Sequence, residues 1–579
     1  MFSFIRYLFF FFIPTTIFCQ ISVSSNLSSN YANSQNHYNY FENIINLNIT
    51  SGNWMSWLEL EFSEPPILGP DYKGIRKLRL DYVGDFAQLK IGDIYEYWGN
   101  GMILNSIDDK SIDLDTGIRG ALLSLSRKNF DFIILAGNQK IMRSSNQISG
   151  YDERIPNYKS KYDLYGSRIN FTHNNFSSGI HFISAKQFDK NVSDTYIQNS
   201  HKLIGLNIDY FSDKLDLIFE YLSKDNNGSG IFADLTVYKE KLIFLNPVSI
   251  GLTYKNYLFS FRSPTERWDF VNNKTGIIPI QQMPTVFQLH SSYLLSRITH
   301  IIDYNDEVGY NLNIKGKLSH SSSFLFSYSN ASRNYEWRIN DNYEWTKIKK
   351  NNSRLLFPNS NDFFNPFKEV YFEIDGFNNN GKSYYKFGFS SMIDILELYE
   401  NQQFLSADLT SSNRYSYEFR SAYTLPITYT YRLTDNRSVD FIFEYQNLKK
   451  GIIRYNDKLT SEQFSSSFSK PSQINRYINL GYSYSPKWSM NFSIDYTDTE
   501  EKIVLDTDRH NNSLERLISK LFNDELTWAS VEITYNFKQD HRFSLSYGSK
   551  RGGVYCSNGI CRYMQPFENG FIFKIISSF

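Results

Sequence analysis

From Glu42 onward the chain alternates apolar and polar positions with a period of two, which is the periodicity of a β-strand. In 477–496 (YINLGYSYSPKWSMNFSIDY), Ile478, Leu480, Tyr482 and Tyr484 share one face, opposite Asn479, Gly481 and Ser483. Past Pro486-Lys487, Trp488, Met490, Phe492, Ile494 and Tyr496 share the apolar face, opposite Ser489, Asn491, Ser493 and Asp495. The same pattern recurs at Val439–Tyr445, Phe543–Tyr547, Leu215–Tyr221 and through 414–433. Each run is about ten residues, the length with which a tilted strand crosses a bilayer. Aromatic residues gather at the ends of the runs, where a membrane presents its two interfaces.

The connections alternate as well. Read back from the end, a tight link at Lys538–Asp540 is preceded by a long polar stretch, 497–525. Then follow a tight Pro486-Lys487 turn, a long stretch over 448–474 and a tight Thr434–Asn436 turn. Short turns at one end and long loops at the other are the habit of outer-membrane barrels, and a soluble sandwich has no reason to obey it. The faces opposite the apolar ones are small and polar, which suits a wet lumen. The pattern therefore predicts an all-β chain: a single large antiparallel transmembrane β-barrel of about two dozen strands (roughly 20–28), with short periplasmic turns and long external loops. It places the barrel over 42–579 and leaves 21–41 as an N-terminal lead-in. With no plug domain ahead of the barrel, a TonB-dependent transporter is not expected.

Composition agrees. Lys+Arg and Asp+Glu are 60 each, so the formal net charge is zero and no nucleic-acid partner is implied. Mean hydropathy is −0.43, yet Phe and Tyr number 48 and 43, as expected where alternating strands hide from a hydropathy scan. Residues 1–20 (MFSFIRYLFFFFIPTTIFCQ) have a basic residue, an apolar run and a short tail, the plan of a secretory signal peptide. Lipidation of Cys19 is the weaker reading, because Phe18 is too large for the position before a lipidation cysteine. The expected partners are the lipid bilayer of the cell outer membrane and the barrel-assembly machinery, with other envelope proteins a further expectation. The last strand, GFIFKIISSF, carries Phe571, Phe573, Ile575 and Phe579 on one face and resembles the signal that machinery reads.

Two places break the pattern. Segment 91–125 is rich in Gly and Asp and does not alternate in its middle. Asp93, Asp108, Asp109, Asp113, Asp115 and Arg119 form a local charge cluster there, so the segment is a candidate lumenal constriction whose charges would set a transverse field for solutes. An internal brace of satisfied salt bridges accounts for the same residues equally well. A calcium site is disfavoured, because DDKSIDLD lacks the EF-hand glycine and spacing.

The second place is RGGVYCSNGICRY (551–563), which holds two of the three cysteines. A two-residue turn at Asn558-Gly559 makes Ser557 and Ile560 the closing pair and sets Cys556 opposite Cys561, within disulfide reach. A cross-strand disulfide bracing an external hairpin tip is the leading reading. Half a metal site, a redox pair and reduced thiols stay open beside it. No other metal and no cofactor are expected.

The stretches GDIYEYWGNG, IDLDTGIRGALL and RGGVYCSNGICRY resemble a family of uncharacterised, porin-like outer-membrane barrels of Gram-negative bacteria. The resemblance implies export, a single barrel and no assigned enzyme activity. Function then divides between a porin-like channel for small polar solutes, with an open lumen, and an envelope interaction or secretion-accessory barrel with a blocked one. A barrel lipase or protease is the third reading. The nine scattered histidines, among them His173, His181, His290 and His541, support no Ser/His/Asp assignment.

Overall fold

The computed structural model describes residues 21–35, 39–143, 158–190, 196–242, 245–261, 276–339, 344–348, 354–378, 380–400, 415–455, 463–465, 472–498, 526–538, 540–557, 560–564 and 566–579. Residues 1–20, read above as a signal peptide, lie outside them.

Consecutive strands pair antiparallel, each with its neighbours in sequence. The first, Ile21–Asn33, pairs with the last, Phe567–Ser578, in a register running from Asn26↔Ser578 to Asn33↔Phe571. That pairing closes the sheet. Of 25 strands in it, Gln463–Ser465 touches only the tip of Arg437–Tyr455, so 24 form the wall of a closed antiparallel barrel. The predicted fold is the observed one. No helix among the described residues is long and apolar enough to cross a membrane. The barrel begins at Ile21, inside the stretch read as a lead-in. Ser and Asn occupy both faces of Ile21–Asn33, so hydropathy alternation is too faint there to reveal a strand.

Outward positions carry the apolar residues. Val439, Phe441, Leu480, Trp488, Met490, Leu545, Phe571 and Phe573 are exposed on the outer face, while Glu444, Gln446, Asp495 and Ile572 alternate with such positions and are buried inside. Tight turns between Ser51 and Trp54, Arg127 and Phe130, His173 and Phe176, and Thr434 and Arg437 lie at one end. The long connections 95–117, 260–305 and 333–366 lie at the other. A closed wall with an apolar outside leaves no backbone group unpaired in hydrocarbon, and the protein resides in the outer membrane.

The face assignment is testable by substitution. Leu480→Arg, on the lipid side, should cost about 2–4 kcal/mol, while Ser483→Arg, on the lumenal side of the same strand, should cost little. Urea unfolding of the chain refolded into vesicles measures both, and equal costs would reject the assignment.

Candidate functional site: two segments inside the barrel

Two connections fold back into the lumen. The first, 95–117, leaves the wall after Ala87–Ile94 and rejoins it at Ile118–Arg127. Its apolar residues Trp98, Met102, Ile103 and Leu104 are fully buried. They meet inward wall residues such as Leu122, Leu135, Leu164, Ile183, Leu203 and Leu222 in one hydrophobic cluster. Glycines in the wall make room. A Cβ on Gly166 would lie 2.8 Å from the Trp98 ring, and one on Gly230 would lie 2.6 Å from the Met102 methyl. The segment's backbone is held too, with Asn100 N donating to Glu220 Oε2 at 2.6 Å and the Gln139 side-chain amide donating to the Thr116 carbonyl.

On the opposite flank the contact is ionic. A β-bulge shifts the register between Glu59↔Lys77 and Leu60↔Ile75, and the extra residue it inserts lets neighbouring Arg76 and Lys77 both face inward. Lys77 pairs with Asp108, with Asp115 at 3.4 Å and with Glu59 at 3.9 Å. Lys110 reaches Glu59 at 3.0 Å, and Arg76 pairs with Glu61. Tyr95 donates its hydroxyl to Asp115 at 3.0 Å. Burial and the Asp115 and Asp108 carboxylates hold that phenol well above its ordinary range.

The predicted charge cluster therefore divides. Asp108 and Asp115 face each other across a two-residue ladder and join the lumenal ion network. Asp109 caps its own turn, accepting from Ser111 N at 3.0 Å. Asp113, at φ 47, lies against Gly69. Asp93 and Arg119 form a separate ion pair in the wall. They stand opposite each other in the wall ladder and pair at 2.9 Å. The Arg119 side chain is 63 % exposed, whereas its neighbour Ile118 is buried inward. Strand alternation turns Arg119 to the outside, with the Asp93 carboxylate buried beneath it and accepting from Leu78 N at 2.7 Å, a geometry that a charge count along the chain does not contain.

The second segment, 276–305, was not singled out by sequence. Its signal was present: Ile277, Ile278, Ile280, Met283, Val286 and Phe287 are apolar without strand alternation in a connection between strands, and all are buried. It crosses between distant parts of the wall. Gln281 Nε2 donates to the Met102 carbonyl at 3.0 Å, tying the two segments together. Tyr257 Oη donates to the Pro284 carbonyl at 2.9 Å. At the helical turn Tyr293–Ser296, the amides of Tyr293 and Leu294 donate to the two Glu444 oxygens at 2.8 and 2.7 Å, and Tyr293 Oη donates to Asp495 at 2.9 Å. Arg297 donates to the Gly552 carbonyl.

His300 is the hub of its clamp. Nδ1 lies 3.1 Å from Asp394 and Nε2 3.3 Å from Glu307, and the ring stacks on Phe367 with centroids 4.1 Å apart. Lys255 pairs with Glu307 at 2.5 Å, and Arg420 with Asp394 at 2.9 Å. A cavity of about 20 Å³ beside His300, lined by Asp303, Glu307, Arg333 and Asp394, has room for a water molecule. Burial alone would lower the His300 pKa, but the facing Asp394 and Glu307 carboxylates outweigh it and raise it from 6.5 to about 9.

Cys556 and Cys561 face each other in the backbone register of Gly553–Ser557 and Ile560–Met564. Their side chains lie outside the described residues. No group of three or more His, Cys, Asp or Glu able to hold a metal occurs among the described residues.

Two outcomes follow from the clamps. Lys77→Met strands Asp108, Asp115 and Glu59 around a missing cation and should destabilise the fold by about 3–5 kcal/mol, read by urea unfolding. Because the folded His300 pKa is raised, its charge stabilises fully below pH 6.5 and the contribution fades as pH rises through about 9. Unfolding midpoints measured between pH 6 and 10 should fall in the wild type, and that component of the fall should vanish in His300→Gln.

No curated protein matches the chain. Among solved structures it is similar to the siderophore receptor PirA from Pseudomonas aeruginosa, at 6% identity over 96% of this chain and 80% of that one, with a TM-score of 0.43. It is similar to the copper transporter OprC at 9% identity, 98% and 82% coverage and a TM-score of 0.44. For the FrpB iron transporter from Neisseria meningitidis the figures are 10%, 96%, 82% and 0.44. A family model spans residues 18–579, every residue of the barrel wall included, and the chain belongs to that family, the family of unknown function DUF6029.

Proposed function

We propose that the protein is a porin-like channel for small polar solutes, constricted from within by 95–117 and 276–305. The observation that carries this reading is the contrast along the lumen. Toward the tight-turn end, inward positions are polar, and Ser24 and Asn26 remain exposed. Higher up, the two segments fill the interior. Asp108, Asp109, Asp113 and Asp115 belong to the narrowing segment, and the Asp108 and Asp115 carboxylates beside Lys77 and Arg76 lead the transverse field that sorts solutes by charge. The reading contains no catalytic step. It includes removal of 1–20 on export, reading of Phe571, Phe573, Ile575 and Phe579 by the barrel-assembly machinery, and a Cys556–Cys561 disulfide at the external end.

One observation favours a second reading, an envelope interaction or secretion-accessory barrel with a blocked lumen. The segment 276–305 is tied to wall residues as far apart as Tyr257 and Asp495, as a stopper would be.

Single-channel conductance of the mature chain in a planar bilayer, beside a variant lacking residues 100–116, separates the two. Steady conductance that rises in the deletion is the result expected of a constricted channel. Silence in both proteins would reject the channel and favour the blocked barrel.

A further inference from the structure

Part of the long connection 333–366 leaves the mouth of the barrel and runs down over the outside of the wall. Residues 354–359 cross the upper ends of neighbouring strands from Gly228–Lys239 to Ser322–Ser332. Arg354 donates to the Ser229 carbonyl at 2.5 Å. From Val248–Phe259, Asn256 Nδ2 donates to the Leu355 carbonyl at 2.7 Å and Tyr254 Oη to the Leu356 carbonyl at 3.1 Å. At the far end Asn359 N donates to Ser332 Oγ at 2.8 Å.

Strand alternation fixes the side on which this happens. Lys255 and Glu307 pair inside the barrel, so their neighbours Tyr254, Asn256 and Val308 face outward. Asn256, Val308 and Ser332 stand in one row of the ladder. All three are buried although the row faces outward, as residues beneath a strap must be.

The strap lies at membrane depth. A tilted strand crosses a bilayer in about 9–11 residues. Counted from the tight-turn end, Tyr254 and Asn256 are the seventh and ninth residues of their strand. Below them Leu252 is exposed on the same lipid-facing side. Irregular backbone is tolerated at this depth only where protein satisfies it, and the Leu355, Leu356 and Asn359 backbone groups bond the wall. The Leu356 and Phe357 side chains turn the other way, 71 % and 70 % exposed.

We infer that 354–359 is a lipid-immersed strap, with Leu356 and Phe357 packed among the acyl chains of the outer leaflet. It fastens an external connection to the membrane that otherwise holds only the strands. Continuity with the lipid-facing wall at Leu252 selects acyl chains as the occupant. A second copy of the chain is disfavoured, because two side chains offer far less than the about 800 Å² per partner of a stable protein interface.

The test uses the full mature chain reconstituted in phosphatidylcholine vesicles. Leu356 or Phe357 is replaced by p-acetylphenylalanine carrying a nitroxide, which leaves Cys556 and Cys561 untouched. Leu252 on the lipid-facing wall and Asn226, exposed in an external turn, are labelled for comparison. Collision with oxygen should be high at 356 and 357, and collision with a water-soluble nickel chelate about fivefold lower than at Asn226 and close to that at Leu252. Nickel collision equal to that at Asn226 would put the strap in water and overturn the proposal. Exclusion of both reagents, with dipolar broadening between labels, would overturn it in favour of a second copy. Heat-modifiable gel mobility checks that each barrel has formed. If neither labelled chain forms, Phe357→Trp should add fluorescence that brominated phosphatidylcholine quenches and iodide does not, and the reverse pattern would reject the strap.

Discussion

Hydrocarbon offers a peptide group no hydrogen-bonding partner, so every amide and carbonyl in a membrane-crossing sheet must be paired within the sheet itself. The pairing of Ile21–Asn33 with Phe567–Ser578 is where this chain meets that demand. It also explains why a weakly patterned first strand is still a strand. Its Ser and Asn side chains contribute little burial, but its backbone completes two ladders at once, with Tyr40–Ser51 on one side and the last strand on the other.

Once the wall carries the backbone hydrogen bonds, the interior can be built by side chains alone. Behind part of 118–259 the interior is apolar, and Leu122, Leu135, Leu164, Ile183 and Leu222 meet Trp98, Met102 and Ile103 in one cluster, with Gln139, His181 and Glu220 buried on the same strands. The other flank is ionic, and buried ions of this kind are tolerated only when each is matched. Lys77 with Glu59, Asp108 and Asp115, and His300 with Asp394 and Glu307, meet that condition. The two chemistries divide the labour: apolar packing in glycine-lined pits sets where the first segment lies, and charge pairing sets its register against the wall.

Such clamps hold a segment without fusing it to the sheet. The contacts of 276–305 with the wall include bonds to the Glu444, Asp495 and Asp394 side chains, a stacked ring on Phe367 and one backbone bond from Phe259 N to the Asn305 carbonyl, and no strand ladder among the described residues. The hydrogen bonding of the wall therefore does not depend on this segment.

Period-two alternation, run length and the rhythm of short and long connections were enough to determine a large antiparallel barrel with its apolar side outward, because strand periodicity is local and the bilayer dictates strand length. The backbone opposition of Cys556 and Cys561 was equally legible, since a two-residue turn sets register within a few residues. Segment 91–125 could be recognised as a departure from the pattern, but the separate fates of its charges could not. Asp108 and Asp115 turn inward and Arg119 outward through a bulge at Arg76 and the pleat of the wall. The partners of Trp98 and His300 lie on strands remote in sequence, and which distant side chains face one another across a lumen is set only when the ring closes.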